Sequence, residues 1–246
     1  MSVLRRTIAP LLLLAAVLLP SSAAQAFRLV PIEMEFEPSG RNATQIFRVE
    51  NEGNEPVAIE VRVEKRAMDR NGEDILTEAY DDWVVFPEQI ILNPKETQSI
   101  RVQYVGNAAI ATEQPYRLIA DQLPVDIGRG PAQGGQVRLL VRYVAALYVM
   151  PAGVGPDVQV DTAGPTGGPG GAGMLELVLT NRGTSRQVLL DPVVTLQAGA
   201  QSLKLTGEAL TGLAGENLLA GTTRRFLVPW PGGVPQGPVS ATLQLP

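Results

Sequence analysis

TQIFRVENEGNEPVAIEVRVE, residues 44–64, is the stretch that decides the fold. Apolar and polar residues alternate through 44–49 and again through 57–64, which is the period of a β-strand with one buried face. The Asn, Gly and Pro residues between these segments form a turn signal. The stretch therefore predicts two neighbouring strands joined by a short turn, each with one face in a core.

Further β-type segments flank this pair, at 28–37, 83–91, 98–105, 116–123 and 136–149. Together they make seven strands within about 120 residues, separated by Gly, Pro and Asn, which is typical of an immunoglobulin-like sandwich. No segment favours a helix for more than a turn or two. We therefore predict a first all-β domain at residues 27–151.

A second, smaller unit follows the Gly- and Pro-rich segment 151–156. Its strand candidates are 174–180, 187–196, 202–205, 223–228 and 239–245. The stretch 164–173 is nearly all Gly, Pro and Ala, which predicts a mobile loop. The fold class is therefore all-β, with two tandem immunoglobulin-like β-sandwiches: domain one at residues 27–151 and domain two at residues 152–246.

Two short motifs occur in both units. Val49-x-Asn51-x-Gly53 matches Leu179-x-Asn181-x-Gly183, and Leu92-x-Pro94-Lys95-x-Thr97 matches Leu218-x-Ala220-Gly221-x-Thr223. The repetition favours two related sandwiches, although β-sandwiches also share turn chemistry without common ancestry.

The composition excludes several classes of enzyme. The 246 residues include no His and no Cys, so a Ser-His-Asp or Cys-His nucleophile, a zinc site of N and S ligands, haem or iron–sulfur ligation and a disulfide framework are all absent. We predict no catalytic residue, no metal site and no cofactor. An acid-based hydrolase is a remote alternative, because Asp81 and Asp82 form a carboxylate pair. Neighbouring acids point apart on a strand, which favours a surface or strand-entry role.

The first 26 residues are predicted to be a secretory signal peptide. Arg5 and Arg6 precede an apolar run at 11–19 that is too short to span a bilayer, and Ala24-Gln25-Ala26 is a small-x-small cleavage site. Cleavage after Ala26 predicts a periplasmic protein with no membrane insertion. The net charge of −5 and the lack of a Lys/Arg cluster argue against nucleic acid as a partner.

The most informative segment is GGQVRLLVRYVAALYVMP, residues 134–151. Its odd positions from Val137 to Leu147 are all apolar, whereas its even positions mix Arg138 and Arg142 with apolar residues. Two interpretations remain open. The segment is either a long last strand whose odd face fills its own core, or an edge strand that offers this face and unpaired backbone groups to another chain.

These features together resemble the periplasmic chaperones of chaperone–usher pili, and most closely their archaic branch. The resemblance is carried by NEGNEPV (51–57), YRLIADQLP (116–124) and the long apolar strand ending in LYVMP (147–151), in this order behind a signal peptide. It covers nearly the whole chain after residue 26 and is specific over 28–151.

The resemblance implies two sandwiches in an L-shaped or boomerang arrangement and a function in donor-strand complementation, in which a strand of the chaperone completes an unfinished immunoglobulin-like subunit. The implied subunit-binding residues are Val137, Leu139, Val141 and Tyr143. The implied partners are pilus (fimbrial) subunits and an outer-membrane usher. Self-association of the free form through the same strand is a further hypothesis.

One departure from the family concerns the terminal carboxylate of the subunit. Better-known members hold it with an Arg on the first strand and a Lys near the end of the donor strand. The corresponding positions here are Glu33 and Ala146, so Arg117 and Arg142 are the nearest substitutes as carboxylate anchors, and ordinary surface exposure is the alternative interpretation of each. The alternative function is a two-domain immunoglobulin-like adhesion or structural protein of the envelope, which would bind a glycan or a protein through its loops.

Overall fold

The computed structural model describes residues 27–125, 139–168 and 173–246. The predicted signal peptide at 1–26 and the predicted donor residue Val137 lie outside these ranges. Within them the chain forms strands and short 3-10 turns, and no α-helix occurs. No helix of this part is long and apolar enough to cross a membrane.

Domain one is a sandwich of two sheets. The first sheet has the strand order β1-β3-β8-β6, and the second has the order β2-β10-β9-β4, with β5 and β7 both paired to β4. The strands are β1 (Phe27–Val30), β2 (Glu33–Phe36), β3 (Thr44–Asn51), β4 (Val57–Met68), β5 (Asp74–Glu78), β6 (Trp83–Phe86), β7 (Gln89–Leu92), β8 (Thr97–Tyr104), β9 (Gln114–Gln122) and β10 (Arg142–Val149).

Two of the predicted strands are each divided between the sheets. The segment 28–37 becomes β1, which pairs with β3, and β2, which pairs with β10. The segment 83–91 likewise becomes β6 and β7, which pair with β8 and β4. The two breaks fall at Pro31 and Pro87, each preceded by a cis peptide bond. Proline has no N–H to donate to a ladder, so each break separates two short strands along one edge of the sandwich.

The core of domain one follows the alternation in the sequence. Phe47 and Val49 of β3 and Val61 of β4 are almost completely buried, and burial of each such side chain contributes about 1.5–3 kcal/mol. The ring of Trp83 packs edge-on against neighbouring aromatic rings. The Tyr116 hydroxyl donates a 2.8 Å hydrogen bond to Asp82 Oδ2, so Asp82 has a structural role at the entry to β6.

Domain two has its own core and three smaller sheets, in the orders β11-β12-β17, β13-β16 and β15-β14-β18. Its strands are β11 (Val158–Gly167), β12 (Gly173–Asn181), β13 (Gln187–Val188), β14 (Val193–Ala198), β15 (Gln201–Leu205), β16 (Asn217–Leu218), β17 (Thr223–Pro229) and β18 (Ser240–Gln244).

The loop predicted at 164–173 is wrong over its first part. β11 continues to Gly167, and Gly167 faces Gly173 at the start of β12. A ladder is built from backbone groups, so a segment with few side chains pairs as long as its neighbour offers a regular strand. The strand β5 was not predicted either, because Asp74 to Glu78 is largely exposed and carries no alternation of burial.

The repeated motifs build the same corner in both domains. The side chain of Asn51, which is 2% exposed, donates to the backbone carbonyls of Glu55, Leu92 and Asn93 and accepts from the Gly53 N–H. The completely buried Asn181 donates to the carbonyls of Ser185 and Leu218 and accepts from the N–H groups of Gly183 and Asp157. In each domain one asparagine therefore joins two turns that are distant in sequence.

Replacement of Asn51 by Ala is expected to lower the free energy of unfolding of domain one by about 2–4 kcal/mol, because it leaves buried backbone groups without partners. The matched control is Asn42→Ala, which removes one exposed hydrogen bond to Glu37 and is expected to change stability by about 0.5 kcal/mol or less. Urea unfolding in a Trp230→Phe background makes Trp83 the fluorescence probe of domain one. Equal midpoints for the two variants would contradict the role of Asn51.

Candidate functional site

Strand β10 is paired unequally on its two sides. On one side β9 pairs with it from Arg142 to Val149, and the Gln122 N–H extends this ladder by donating to the Val141 carbonyl at 2.9 Å. On the other side β2 pairs with it only from Ala146 to Val149. The first half of β10 therefore lies at an edge of the second sheet.

The register shows which backbone groups face this edge. The Val141 carbonyl accepts from β9, whereas the Ala146 N–H donates to the Ile32 carbonyl on the β2 side at 2.8 Å. Because successive residues of a strand present their backbone groups to alternate sides, Arg142 and Val144 present theirs to the side of β2. Among the residues that the structure describes, pairing with β2 begins only at Ala146, so within this part of the chain these two residues form an open edge that a further strand can join.

The predicted donor residues occupy two different environments. Leu139 is 70% exposed and precedes the start of β10. Val141 and Tyr143 are partly buried and pack against the core of domain one, and the Tyr143 ring lies edge-on to Phe27 at 5.1 Å. The apolar face of this strand thus begins outside the sandwich and continues into the core of domain one.

Sequence reasoning missed the apolar residues beside this edge. Leu140 and Val144, on the opposite face of the strand, are 47% and 46% exposed, and Ile32 between β1 and β2 is 68% exposed. The even positions of the segment appeared mixed in character because Arg142 lies between them. The open edge therefore carries exposed apolar side chains on both faces.

The two predicted carboxylate anchors are already paired with aspartates. Arg142 is 60% exposed and contacts Asp121 at 2.5 and 3.1 Å. Arg117 is 18% exposed and contacts Asp74 at 2.7 Å, and Arg66 contacts the same carboxylate at 2.6 Å. Although burial would raise the pKa values of Asp74 and Asp121, these arginines lower both below their ordinary range.

The two positions that the resemblance assigns to a basic pair lie side by side. Glu33 on β2 and Ala146 on β10 are partners in the parallel ladder. Glu33 and Glu35 each accept a 3.0 Å hydrogen bond from Nη2 of Arg186, which comes from domain two. The cation at this place is therefore supplied by the second domain.

Glu113 completes the cluster around Arg186. Its carboxylate accepts a 2.9 Å hydrogen bond from Arg186 Nη1 and a 3.3 Å bond from the Arg186 backbone N–H. Burial raises the pKa of Glu113 above its ordinary value, and the charge and hydrogen bonds of Arg186 offset only part of this effect. The two acids on β2 indicate a cationic partner. The sequence contains no signal that identifies this partner as Arg186, about 150 residues further along the chain.

A separate apolar patch lies on the outer face of the first sheet, and we define it by Ile46, Val84 and Phe86. These side chains are 51%, 51% and 71% exposed. Arg101 lies between Ile46 and Phe86 in one row across the sheet. The sheet that carries this patch does not contain β10.

The described residues contain no group of three or more acidic side chains placed to hold a metal ion. What the site around β10 offers is unpaired backbone, exposed apolar side chains and arginines. That combination is suited to binding an extended peptide segment by strand addition.

Comparisons with known proteins agree with this geometry. Residues 35–155 match the family model of the PapD N-terminal domain, described as a pili and flagellar-assembly chaperone. No curated protein sequence matches the chain.

Three solved structures share its fold at low sequence identity. The class 5 fimbriae chaperone CfaA is 14% identical with a TM-score of 0.55, over 90% of this chain and 100% of its own. A chain from the complex of SafA pilin with the SafB chaperone of Salmonella enterica is 14% identical with a TM-score of 0.54, over 90% and 96%. A chain from the CsuC–CsuE chaperone–tip subunit complex of archaic Csu pili of Acinetobacter baumannii is 18% identical with a TM-score of 0.52, over 82% and 89%.

The fold, the open edge and the family model lead to one assignment. The family model matches most of the residues of domain one, and the structural matches extend through both domains. Residues 35–155 belong to the PapD N-terminal domain family of pili and flagellar-assembly chaperones.

Proposed function

We propose that the open edge of β10, together with the residues before it, is the strand that this chaperone lends to a pilus subunit. The single observation that carries the proposal is the unequal pairing of β10, which is closed by β9 along its length and by β2 only from Ala146. The donor side chains in this proposal are Val137, Leu139, Val141 and Tyr143. The protein acts by binding and release, without a catalytic step.

The free-energy contributions expected from this strand suit reversible binding of a subunit. Leu139 is mostly exposed in the free protein, so its burial in a subunit contributes about 1.5–3 kcal/mol. Val141 and Tyr143 already pack partly against domain one and gain less. Main-chain hydrogen bonds along the edge add about 0.5–1.5 kcal/mol each before ordering costs. The summed binding free energy is enough to hold a subunit. It is also small enough that a better-fitting strand can replace the strand of the chaperone.

The terminal carboxylate of the subunit is held, in this proposal, by Arg142 or Arg117. Arg142 is the more accessible of the two and lies in the open edge itself. An incoming carboxylate shares or replaces Asp121 as its partner, since a guanidinium accommodates more than one carboxylate oxygen.

The remaining parts of the proposal concern location and partners. Residues 1–26 direct export, with cleavage after Ala26, and the mature chain works in the periplasm, as pilus chaperones do. An outer-membrane usher receives the subunit-loaded chaperone through the apolar patch of Ile46, Val84 and Phe86. Without a subunit, a second copy caps the open edge. The archaic branch, suggested by sequence, stays a prediction.

Replacement of Leu139 by Asp is expected to weaken subunit capture at least about tenfold, because a carboxylate replaces an apolar side chain in the subunit groove. The monomer stays folded, since Leu139 is 70% exposed and outside β10. Leu190→Asp is the control, because Leu190 is 59% exposed in domain two. Affinity is measured with a purified subunit, and light scattering checks self-association. Normal capture by Leu139→Asp refutes the donor role.

The anchor is identified by a double-mutant cycle between the chaperone and the chain end of the subunit. Arg142→Ala and Arg117→Ala are each combined with a C-terminal subunit peptide that carries either a free carboxylate or an amide. We expect amidation to weaken binding to the unmodified chaperone about tenfold, and to have no further effect once the anchoring arginine is removed. An amidation penalty that persists in both variants excludes both arginines as the anchor.

The usher surface is tested with Phe86→Asp. Capture of a subunit is expected to be unchanged, whereas binding of the loaded chaperone to the usher weakens about tenfold because the patch loses its most exposed apolar side chain. Tyr80→Asp is the control, since Tyr80 is 68% exposed elsewhere on domain one. Equal usher binding by both variants would show that the usher contacts another surface.

A further inference from the structure

The side chain of Arg186, in domain two, contacts several residues of domain one across the domain junction. Arg186 lies directly before β13 in domain two, and its side chain is 11% exposed. Its guanidinium binds Glu33, Glu35 and Glu113, all of domain one, at 2.9–3.0 Å. These acids lie on β2 and directly before β9, so one side chain of domain two holds two separate segments of domain one.

The guanidinium also packs on the strand that carries the open edge. Its central carbon lies 3.5 Å from the centre of the Tyr148 ring, in the second half of β10. A guanidinium stacked on an aromatic face and bonded to several carboxylates is held in one orientation, because its planar donors and its face are both used. Arg186 therefore fixes the position of Tyr148 relative to domain two.

Tyr148 is tied to domain two by a second contact. Its hydroxyl accepts a 2.9 Å hydrogen bond from Asn217 Nδ2 in domain two, and a 3.3 Å bond from Arg66 Nη1 in domain one. Its ring packs in a small apolar cluster with Ala146 and Leu219. The paired half of β10 is therefore part of the domain junction, and Tyr148 lies four residues after Val144 of the open half.

Further polar contacts between the domains lie beside Arg186 and on a different strand. The Glu113 N–H donates to the Thr184 carbonyl at 2.9 Å. The Arg225 N–H donates to the Arg70 carbonyl at 2.7 Å, and Arg225 Nη2 donates to Asn71 at 3.1 Å. This contact joins the β4–β5 turn to β17. A chain without the Arg186 contacts is still joined there, so it is expected to pivot rather than to separate into independent domains.

We propose that Arg186 is a positioning residue that holds the open edge of β10 at a fixed distance and angle from domain two. Three carboxylates, the Tyr148 ring and the Met150 sulfur converge on this side chain. These attachment points lie on β2, on β10 and the residue after it, and on the residue before β9. The strands that define the edge are thus oriented by a cation from the other domain. The effect on subunit capture rests on the proposed function, whereas the effect on domain orientation does not.

The experiment compares Arg186→Leu with the control Arg182→Leu in the full chain. Arg182 lies in the same loop and is 58% exposed, and its ion pair with Asp161 lies within domain two. Small-angle scattering of the unbound protein reports the domain orientation. Hydrogen exchange at the amides of Ala146 and Met150, which donate to the Ile32 and Phe36 carbonyls, reports the contact of β10 with β2.

For Arg186→Leu we expect a broader distribution of interdomain distances and exchange at these amides at least about tenfold faster. Capture of a subunit is expected to weaken about tenfold, which corresponds to about 1.4 kcal/mol. Arg186→Lys keeps the charge but not the planar fork, so an intermediate effect is expected. Arg182→Leu is expected to match the unmodified protein in all three measurements.

Two results would overturn the inference: unchanged scattering and exchange in Arg186→Leu, or altered orientation with undiminished capture. General destabilisation is recognised by faster exchange in the distant strands β14 and β18, and its presence would also refute a specific positioning role. If the unmodified protein captures no subunit while Arg186→Leu still changes scattering and exchange, the donor-strand proposal fails and the positioning of β10 by Arg186 stands.

Discussion

The unequal pairing of β10 is the constraint on which the other features of domain one depend. Ala145, Leu147 and Val149 are completely buried, so a shift of the strand by one residue would turn the core side chains outward. This burial fixes the register of the paired half, and the open half is fixed with it because the two are continuous. A strand that complements another protein binds more tightly when it is already ordered, and packing in the sandwich orders β10.

The same edge has to avoid uncontrolled pairing with other strands. Open edges with apolar side chains are templates for aggregation, and natural proteins limit this with short lengths and charges. Here pairing with β2 resumes at Ala146, and the exposed Arg142 lies between Leu140 and Val144. The open segment is long enough for a few alternating contacts and too short and too charged to be a general template.

The alternation in residues 44–64, together with the five further β-type segments of domain one, was sufficient to predict the fold class, because one-sided burial gives β-strands a local period. The crossing of each edge strand between sheets at Pro31 and Pro87 was not predicted, since it depends on which neighbour each half meets. The repeated asparagine motifs were recognised, yet the contact between Asn51 and the Leu92 carbonyl became visible only in three dimensions. Arg186 was missed because its role arises from three acids in the other domain.

The charges at the domain junction influence where the C-terminal carboxylate of a subunit can bind. Arg186 is surrounded by three carboxylates, so an additional carboxylate there meets an excess of negative charge. Arg142 is 60% exposed and pairs with Asp121, which it shares with Arg62, and Arg62 also pairs with Glu64. Charge is therefore balanced there rather than negative. Arg142 precedes Ala146 by four residues, or about 13 Å along a strand. If the chain end binds at Arg142, the complementing contact is displaced by that distance toward Leu139, away from domain two, which is where the exposed apolar side chains of the edge lie.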